Sequence, residues 1–465
     1  MSEGGQPQTI PLYIKAPKVY PREIKGRFAS LRVIAAWVLL GMYYVIPWIS
    51  VNGQQLVLFD LVNRKFHILG LTLWPQDLII LSLLLAMAAL TLFFFTALAG
   101  RLWCGYACPQ TVWTEVFLWM ERITEGRRNQ RMRLDAGPWN RNKIVRKSTK
   151  QFLWIVFALW TGFTFVGFFV PIRDVAVRAL DFNLGGWETF WLFFYAFATY
   201  GNAGFLREQV CKYMCPYARF QSAMLDDDSL IISYDVERGE PRGPRKRSAN
   251  PAELGLGDCI DCMACVQVCP TGIDIRDGLQ IECIACAACI DACDDVMDKM
   301  GYPRGLIRYS TGNAMAGRPT RILRPRIFIY LGALLALMAL VGMTVASRQP
   351  LLVDVLRDRT ALHRVSDQML ENPYTIKLTN RTEDELHISI AVEGLDGIYV
   401  IEPVRPVTVA PSQVANQPLT IGLPLENARA GMHAITVSAS DDDGQVHSET
   451  ETRFFIPARA LENAQ

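Results

Sequence analysis

Five apolar stretches, each about 20 residues and so long enough to cross a bilayer as a helix, run through the chain up to residue 346. They cover 31–51, 78–100, 152–171, 187–206 and 327–346. Hydrocarbon offers no water to backbone N–H and C=O groups, so such runs must become helices that satisfy themselves. An apolar share of 51% beside 20% charge agrees. A net charge of only +2 gives no global attraction to nucleic acid.

The charges between the stretches predict an orientation. Lys15, Lys18, Arg22, Lys25 and Arg27 precede the first stretch, and the next gap has only Arg64 and Lys65. Between the second and third lie Arg127, Arg128, Arg131, Arg133, Arg141, Lys143, Arg146, Lys147 and Lys150. Arg173 and Arg178 follow in the next gap, then Arg318, Arg321, Arg324 and Arg326 before the last stretch. The alternation puts the N-terminus and the region before residue 327 in the cytoplasm and the tail outside. The first stretch is longer than a signal-peptide core and lacks a cleavage site, so it reads as a retained anchor. The basic run 127–150 reads as a topology determinant in contact with anionic lipid, not as a nucleic-acid surface.

Eight of the 12 cysteines lie between Cys259 and Cys293. "CIDCMACVQVCP" places Cys259, Cys262, Cys265 and Cys269 in the spacing C-x2-C-x2-C-x3-C-P, and "CIACAACIDAC" repeats it with Cys283, Cys286, Cys289 and Cys293. Three thiolates so spaced wrap one cubane, and the fourth ligates the other cluster of a two-cluster ferredoxin. The expected sets are Cys259, Cys262, Cys265 and Cys293 for one 4Fe–4S cluster, and Cys283, Cys286, Cys289 and Cys269 for the other. Zinc ribbons share the C-x2-C element, but two complete tandem runs select the ferredoxin reading. Asp294 stands where Pro270 follows the first run. No cysteine falls in the last third, so an exported disulfide framework is not expected. Paired clusters imply one-electron transfer. With no dinucleotide fingerprint or P-loop at a strand–helix junction, the electrons come from another protein or a membrane quinol.

The other four cysteines close the second and fourth stretches: Cys104 and Cys108 in "RLWCGYACPQ", Cys211 and Cys215 in "CKYMCPY". On a continuous helix, positions i and i+4 share a face, so each pair would aim two sulfurs at one point. Pro109 and Pro216 would mark the chain leaving its helix. Two such pairs at equal depth predict a four-thiolate site under the ferredoxin region, suited to monovalent copper. Redox disulfides and plain packing are the alternatives. His67, His363, His387, His433 and His447 all lie outside the apolar stretches, so no haem is expected. Met338 and Met343 read as lipid-facing or packing residues. Glu115 and Glu121 lie on "TVWTEVFLWMER", which resembles an interfacial helix; a proton or metal role for them is secondary.

Beyond Asn372 the texture changes to short runs rich in Val, Ile, Thr and Tyr, such as "LHISIAV" and "HAITVSAS", with "DDDG" at 441–444 as a hairpin signal. About seven strands predict an immunoglobulin-like sandwich. The Asn-Arg-Thr triplet at 380–382 reads as a chance sequon. The fold class is therefore multidomain: an α-helical polytopic membrane domain of five spans, an inserted α+β two-cluster ferredoxin domain, and a C-terminal all-β immunoglobulin-like sandwich. The expected boundaries are a cytoplasmic tail at 1–30, a four-span domain at 31–206, and a connector with the second C-x3-C-P motif at 207–257. The ferredoxin domain at 258–300, a basic linker at 301–326, the fifth span at 327–346, a linker at 347–371 and a periplasmic domain at 372–465 complete the chain.

"RLWCGYACPQTVW", "CKYMCPYARFQ", the tandem ferredoxin motifs and the strand-rich tail together resemble the cytochrome c oxidase accessory protein family CcoG, also called FixG or RdxA. The resemblance covers nearly the whole chain. It implies a bacterial inner-membrane protein that assists assembly of a cbb-type haem–copper oxidase and reduces copper(II) for insertion. The eight ferredoxin cysteines match the family's cluster ligands. Cys104, Cys108, Cys211 and Cys215 match its membrane cysteines, read here as the catalytic copper site. Expected partners are oxidase assembly factors, copper transporters or chaperones, an unidentified cytosolic electron donor and the membrane; self-association is left open. Two other classes compete: a quinol-linked carrier like the NapH and NosR membrane ferredoxins, and a non-catalytic scaffold docking oxidase subunits through its sandwich.

Overall fold

Four helices among the described residues are long and apolar enough to cross a membrane: Arg27–Trp48, Leu78–Ala99, Arg141–Val166 and Pro325–Ala346. The computed structural model describes residues 18–458 except 52, 75, 76, 250, 252, 359–362, 367, 368, 383, 412 and 445. Lys15 of the basic tail and positions 459–465 of the expected sandwich lie outside the described residues. The helices in chain order are α1 (Arg27–Val45), α2 (Leu78–Ala99), α3 (Leu102–Tyr106), α4 (Pro109–Glu125), α5 (Arg128–Ala136), α6 (Arg141–Val166) and α7 (Ile172–Leu180). Next come α8 (Gly186–Thr199), α9 (Pro216–Met224), α10 (Val236–Gly239), α11 (Ala264–Val268), α12 (Ala288–Met300), α13 (Gly312–Met315) and α14 (Pro325–Ala346). Two units divide the chain, Met1–Ala339 and Leu340–Gln465.

The stretch at 187–206 is not one α-helix. It runs as α8 for 14 residues and then loosens into π winding over Tyr200–Leu206, a change of pitch that often marks functional sites. Gly162 on α6 leaves room for the backbone of Leu192 and for Ala196 on α8, the small-residue packing that lets membrane helices approach closely. Trp154 is buried and donates its indole N–H to the Phe117 carbonyl at 3.1 Å, fastening α6 to α4.

The expected third span, 152–171, instead begins at Arg141, and the basic run before it is not a solvated loop. It forms α5 and the first turns of α6, in which Arg131, Lys147 and Lys150 are paired with carboxylates while Arg127, Arg133, Arg141 and Arg146 are exposed. Lys147 and Lys150 reach Glu125 at 2.9 and 2.8 Å, and Lys147 and Lys18 reach Asp135 at 2.5 and 2.8 Å. Glu121, expected on an interfacial face, is fully buried between Arg131 at 3.0 Å and Arg207 at 2.9 Å. Burial alone would push this carboxyl up, but Arg207 and Arg131 outweigh it and hold it below the ordinary carboxylate range. Helix α4 turns Glu121 inward while Trp119 and Ile123 stay exposed.

The ferredoxin lobe takes chain from both neighbouring segments expected to be linkers. Ile231–Tyr234 pairs antiparallel with Ile307–Ser310, closing the lobe around α11 and α12. Ile232, Ile290, Met297, Leu306 and Ile307 form its buried core with the cysteines. The lobe therefore extends beyond 258–300, since without this strand pair the helices' apolar faces would be uncovered.

The second unit contains two antiparallel sheets. One has the order Tyr399–Glu402, Val414–Pro424, Met369–Asn380, Leu351–Arg357, with Arg364–Ser366 also on Met369–Asn380; the other has the order Val407–Val409, Leu386–Glu393, Gly431–Asp441, His447–Ile456. Leu351, Ile376, Ile388, Ile421, Val437 and Phe454 are fully buried in the shared core. The sandwich thus begins at Leu351, not at 372: Leu351 and Val353 alternate inward like any core strand. Asn380 of the sequon-like triplet is buried and gives its amide N–H groups to the Asp384, Val409 and Ala410 carbonyls, so it is no sugar acceptor.

Replacing Glu121 by Ala leaves Arg131 and Arg207 buried without their counter-charge. The expected loss is roughly 3–5 kcal/mol of stability, read as a lowered Tm in detergent, with Glu121→Gln in between. An unchanged Tm for both variants would refute the buried ion cluster.

Candidate metal centres

Two loops of matched conformation carry the tandem cysteines. In the first, Asp261 and Met263 have positive φ; in the second, Ala285 and Ala287 do, at the same offsets from Cys259 and Cys283. Non-glycine residues rarely hold such φ values, and four at equivalent places mean that the chain is bent around something on each side. Left-handed residues at alternate positions favour the backbone nests that receive anionic iron–sulfur groups. Helices α11 and α12 start directly after the left-handed Met263 and Ala287.

The fold brings the cysteines together in crossed sets. Cys259, Cys262, Cys265 and Cys293 line one small cavity. Cys269, Cys283, Cys286 and Cys289 line a second, to which Cys265 also contributes. Burial pushes the thiols up, Cys265 to about 11 and Cys293 to about 12. The protein alone therefore keeps Cys265 and Cys293 as thiols, and bound iron is what would make them thiolates. An all-sulfur donor set on two nest-forming loops fits 4Fe–4S groups.

The C-x3-C-P pairs are built differently from expectation. Cys104 is in α3, but Cys108 is extended and precedes α4, with Pro109 as that helix's first residue. Likewise Cys211 lies in a π-wound turn, Val210–Met214, and Cys215 is extended before Pro216 opens α9. Neither pair shares one helical face, and each proline starts a helix instead of ending one. Proline's fixed φ and missing N–H suit the first helical position. The four thiols are nonetheless neighbours, since charge on Cys108, Cys211 or Cys215 would raise Cys104. Burial pushes Cys104 to about 12 and Cys211 to about 11. Among the described residues no three His, Cys, Asp or Glu side chains converge as ligands of one metal ion, and that includes the eight ferredoxin cysteines. Thiols arranged around a cube do not converge on a point.

Contacts that spacing did not announce join the two regions. A Cβ on Gly105 would stand 2.8 to 2.9 Å from the carbonyl oxygens of Ile284 and Ala285 and from Cys286 Cα, so only glycine allows α3 to lie on the cluster loop. Buried Arg101 donates to the Ile281 carbonyl, to the Cys283 carbonyl at 3.0 Å and to the Ala218 carbonyl at 3.1 Å. Gln221 on α9 accepts from Cys104 Sγ at 3.3 Å, drawing the second motif onto the first. Arg32 on α1 donates to the Cys286 carbonyl. Asp291, between two ferredoxin cysteines, accepts from the N–H groups of Phe28 and Ala29 at 3.2 and 2.7 Å and so caps α1. In "RLWCGYACPQ" Arg101 stands as a cation at the end of an apolar stretch and Gly105 as a small residue beside a cysteine, signals that do not name their partners.

Residues 206–312 match the family described as a 4Fe-4S dicluster domain, and residues 80–127 match one described as a 4Fe-4S binding domain. Residues 341–457 match the IG-like fold at the C-terminal of FixG. Fold and site together define an iron–sulfur electron-transfer protein of a membrane, an oxidoreductase of the ferredoxin type. Among relatives, the Nitrogen fixation protein FixG of Rhizobium meliloti (strain 1021) is 38% identical over 97% of this chain and 95% of its own length. Protein RdxB of Cereibacter sphaeroides is 39% identical over 89% of each, and Protein RdxA of the same organism is 38% identical over 83% of this chain and 85% of its own. The chain belongs to the FixG family. A crystal structure of a FixG-related protein from Vibrio parahaemolyticus is 28% identical, covering 24% of this chain and 99% of that one, with a TM-score of 0.22.

Gly105→Val drives a branched side chain into the 284–286 backbone. It is expected to cost about 1–3 kcal/mol and to alter the electron paramagnetic resonance spectrum of the group near Cys286 in anaerobically reduced protein. Identical spectra would show that α3 does not rest on this loop.

Proposed function

We propose that this protein is a membrane-bound cupric reductase serving assembly of a cbb-type cytochrome c oxidase. In this reading one 4Fe–4S group is held by Cys259, Cys262, Cys265 and Cys293, and the other by Cys283, Cys286, Cys289 and Cys269. These groups supply single electrons when bound. Copper, the substrate, is received by Cys104, Cys108, Cys211 and Cys215. The observation that carries the reading is the seating of Gly105, between two of those cysteines, on the Cys286 backbone. Reduction of copper(II) to copper(I) takes one electron per ion, and soft thiolates favour the product over the reactant. Arg101 holds the cluster loop and α9 together, and Gln221 orients the Cys104 thiol. We further propose five spans, with α8 and its π-wound continuation as the fourth, the ferredoxin lobe cytoplasmic and the sandwich periplasmic in a bacterial inner membrane. Expected partners are assembly factors and copper transporters or chaperones.

A second reading has specific support. The 4Fe-4S family match at 80–127 covers Cys104 and Cys108, and the four membrane thiols, like the ferredoxin set, do not converge on one point. They would then hold a third cluster and extend the relay.

Anaerobically purified protein decides between the two. The copper reading expects about eight iron atoms per chain and copper(II) reduction by the reduced protein, whereas the second expects about twelve. Changing Cys104, Cys108, Cys211 and Cys215 together to Ser should leave about eight irons and abolish copper reduction. Unchanged copper turnover in that variant would remove these cysteines from the mechanism.

A further inference from the structure

A cavity of ≈ 640 Å³ lies between α1, α4, the start of α5 and the ferredoxin loops. That volume falls within the roughly 300–1,000 Å³ of small-molecule sites. Cys286 and Cys211 both contribute to its wall, so it touches a cysteine of the second ferredoxin loop and a cysteine of the membrane motifs at once. A molecule held there would sit directly against the relay.

The lining says what kind of molecule. One face of α4 supplies Thr111, Thr114, Glu115, Leu118, Trp119 and Arg122, an alternation of polar and apolar groups along one helix side. Leu118 and Ile284 give an apolar floor. Val33 on α1 and Trp119 and Ile123 on α4 also line the cavity, yet each is at least half exposed or nearly so, at 49%, 53% and 62%. On α1, a helix long and apolar enough to span a bilayer, exposed apolar side chains face lipid. Arg22, Lys25 and Arg127 line the same cavity, so its wall joins apolar side chains to cations as at a membrane–water boundary, which admits an amphipathic molecule. Inside, the Thr114 hydroxyl and the Arg32 guanidinium offer donors, and the Glu115 carboxylate, held by Arg122 at 3.3 Å, offers an acceptor.

We infer that this cavity binds a membrane quinol, with its ring between Leu118 and Ile284, one ring oxygen toward Arg32 and Thr114, and one toward Glu115. The inference rests on the reading of the ferredoxin cysteines as a redox relay and names its electron donor. Oxidation breaks two O–H bonds of the quinol and yields the quinone, two protons and two electrons. The electrons are accepted one by each 4Fe–4S group. Glu115 takes the first proton, and water at the exposed carboxylate edge carries both away.

The test uses full-length, cluster-loaded protein in lipid nanodiscs without oxygen. Decylubiquinol should bleach the cluster absorbance, and Val33→Trp, which fills the mouth from an exposed position, should slow bleaching by about tenfold or more while dithionite reduction and iron content stay as in the unaltered protein. Should Val33→Trp lose iron, Thr114→Val, a near-isosteric change, takes its place with the same expectation. A readout independent of electron transfer is photolabelling by an azidoquinone, expected on the peptide carrying residues 111–123 and suppressed by excess decylubiquinone. Bleaching at full rate in the filled variant, absence of bleaching by any quinol, label confined to other helices, or phospholipid phosphate found in the cavity in place of quinone would each overturn the inference. Copper(II) reduction by dithionite-reduced protein is measured separately. Its loss with quinol oxidation intact sinks the copper reading and leaves the cavity standing, and the converse result sinks only the cavity.

Discussion

Where α3 meets the second cysteine loop there is no side chain between two backbones, and the geometry of everything redox-active follows from that. With only hydrogen at Gly105, the helix carrying Cys104 lies against the carbonyls of Ile284 and Ala285. Carbonyls pressed into such a contact lose water, so they need protein donors. The Tyr309 hydroxyl donates to the Ala285 carbonyl at 2.6 Å, and Arg101 and Arg32 donate to the neighbouring Ile281, Cys283 and Cys286 carbonyls of the same segment. Asp291 completes the seam from the other side by capping α1. The ferredoxin lobe is thus bolted to the helix ends through backbone groups, and motion of one moves the other.

A second constraint holds the two C-x3-C-P motifs in place. Helix α4 leaves Cys108 and carries Glu121 into a dry interior, while Arg207, itself at positive φ, lies just ahead of Cys211 and meets that carboxylate. A buried ion pair returns little net stability after desolvation, so its retention here is better explained by position than by energy. It ties the start of one motif to the helix that follows the other. The surrounding Lys18, Lys147, Lys150 and Arg131 outnumber Glu121, Glu125 and Asp135, leaving positive potential beside loops suited to an anionic cofactor.

What could be seen in advance was whatever chemistry writes as spacing. The two C-x2-C-x2-C-x3-C runs marked the crossed cysteine sets because cubane ligation demands them, and alternating Val, Ile and Thr marked the sandwich because a pleated strand shows every second residue to the core. The i, i+4 argument for Cys104 and Cys108 failed because it assumed an unbroken helix, and Pro109 was read as an end when its fixed φ equally suits a beginning. The strand at Leu351 was missed because "LLVDVL" follows an apolar span and carries no turn signal of its own. Buried Lys150 and Arg131 were not readable from the charge run alone, which looks solvated until helix packing brings Glu121 and Glu125 of α4 against it.

The contacts also order the relay. Gly105, Arg101 and Arg32 all touch the 281–286 segment, and the cavity wall reaches it at Cys286, whereas of the Cys259–Cys269 run only Val268 lines the cavity. If copper and quinol are the acceptor and donor proposed above, the centre lined by Cys269, Cys283, Cys286 and Cys289 is the one through which electrons both arrive and leave. The Cys259 centre stands to one side. A side centre would be useless to a one-electron donor, but a donor that must lose two electrons together needs somewhere for the second to wait while the first moves on. The crossed cysteines Cys269 and Cys293, each set on the other loop's side, keep that waiting place adjacent to the through path.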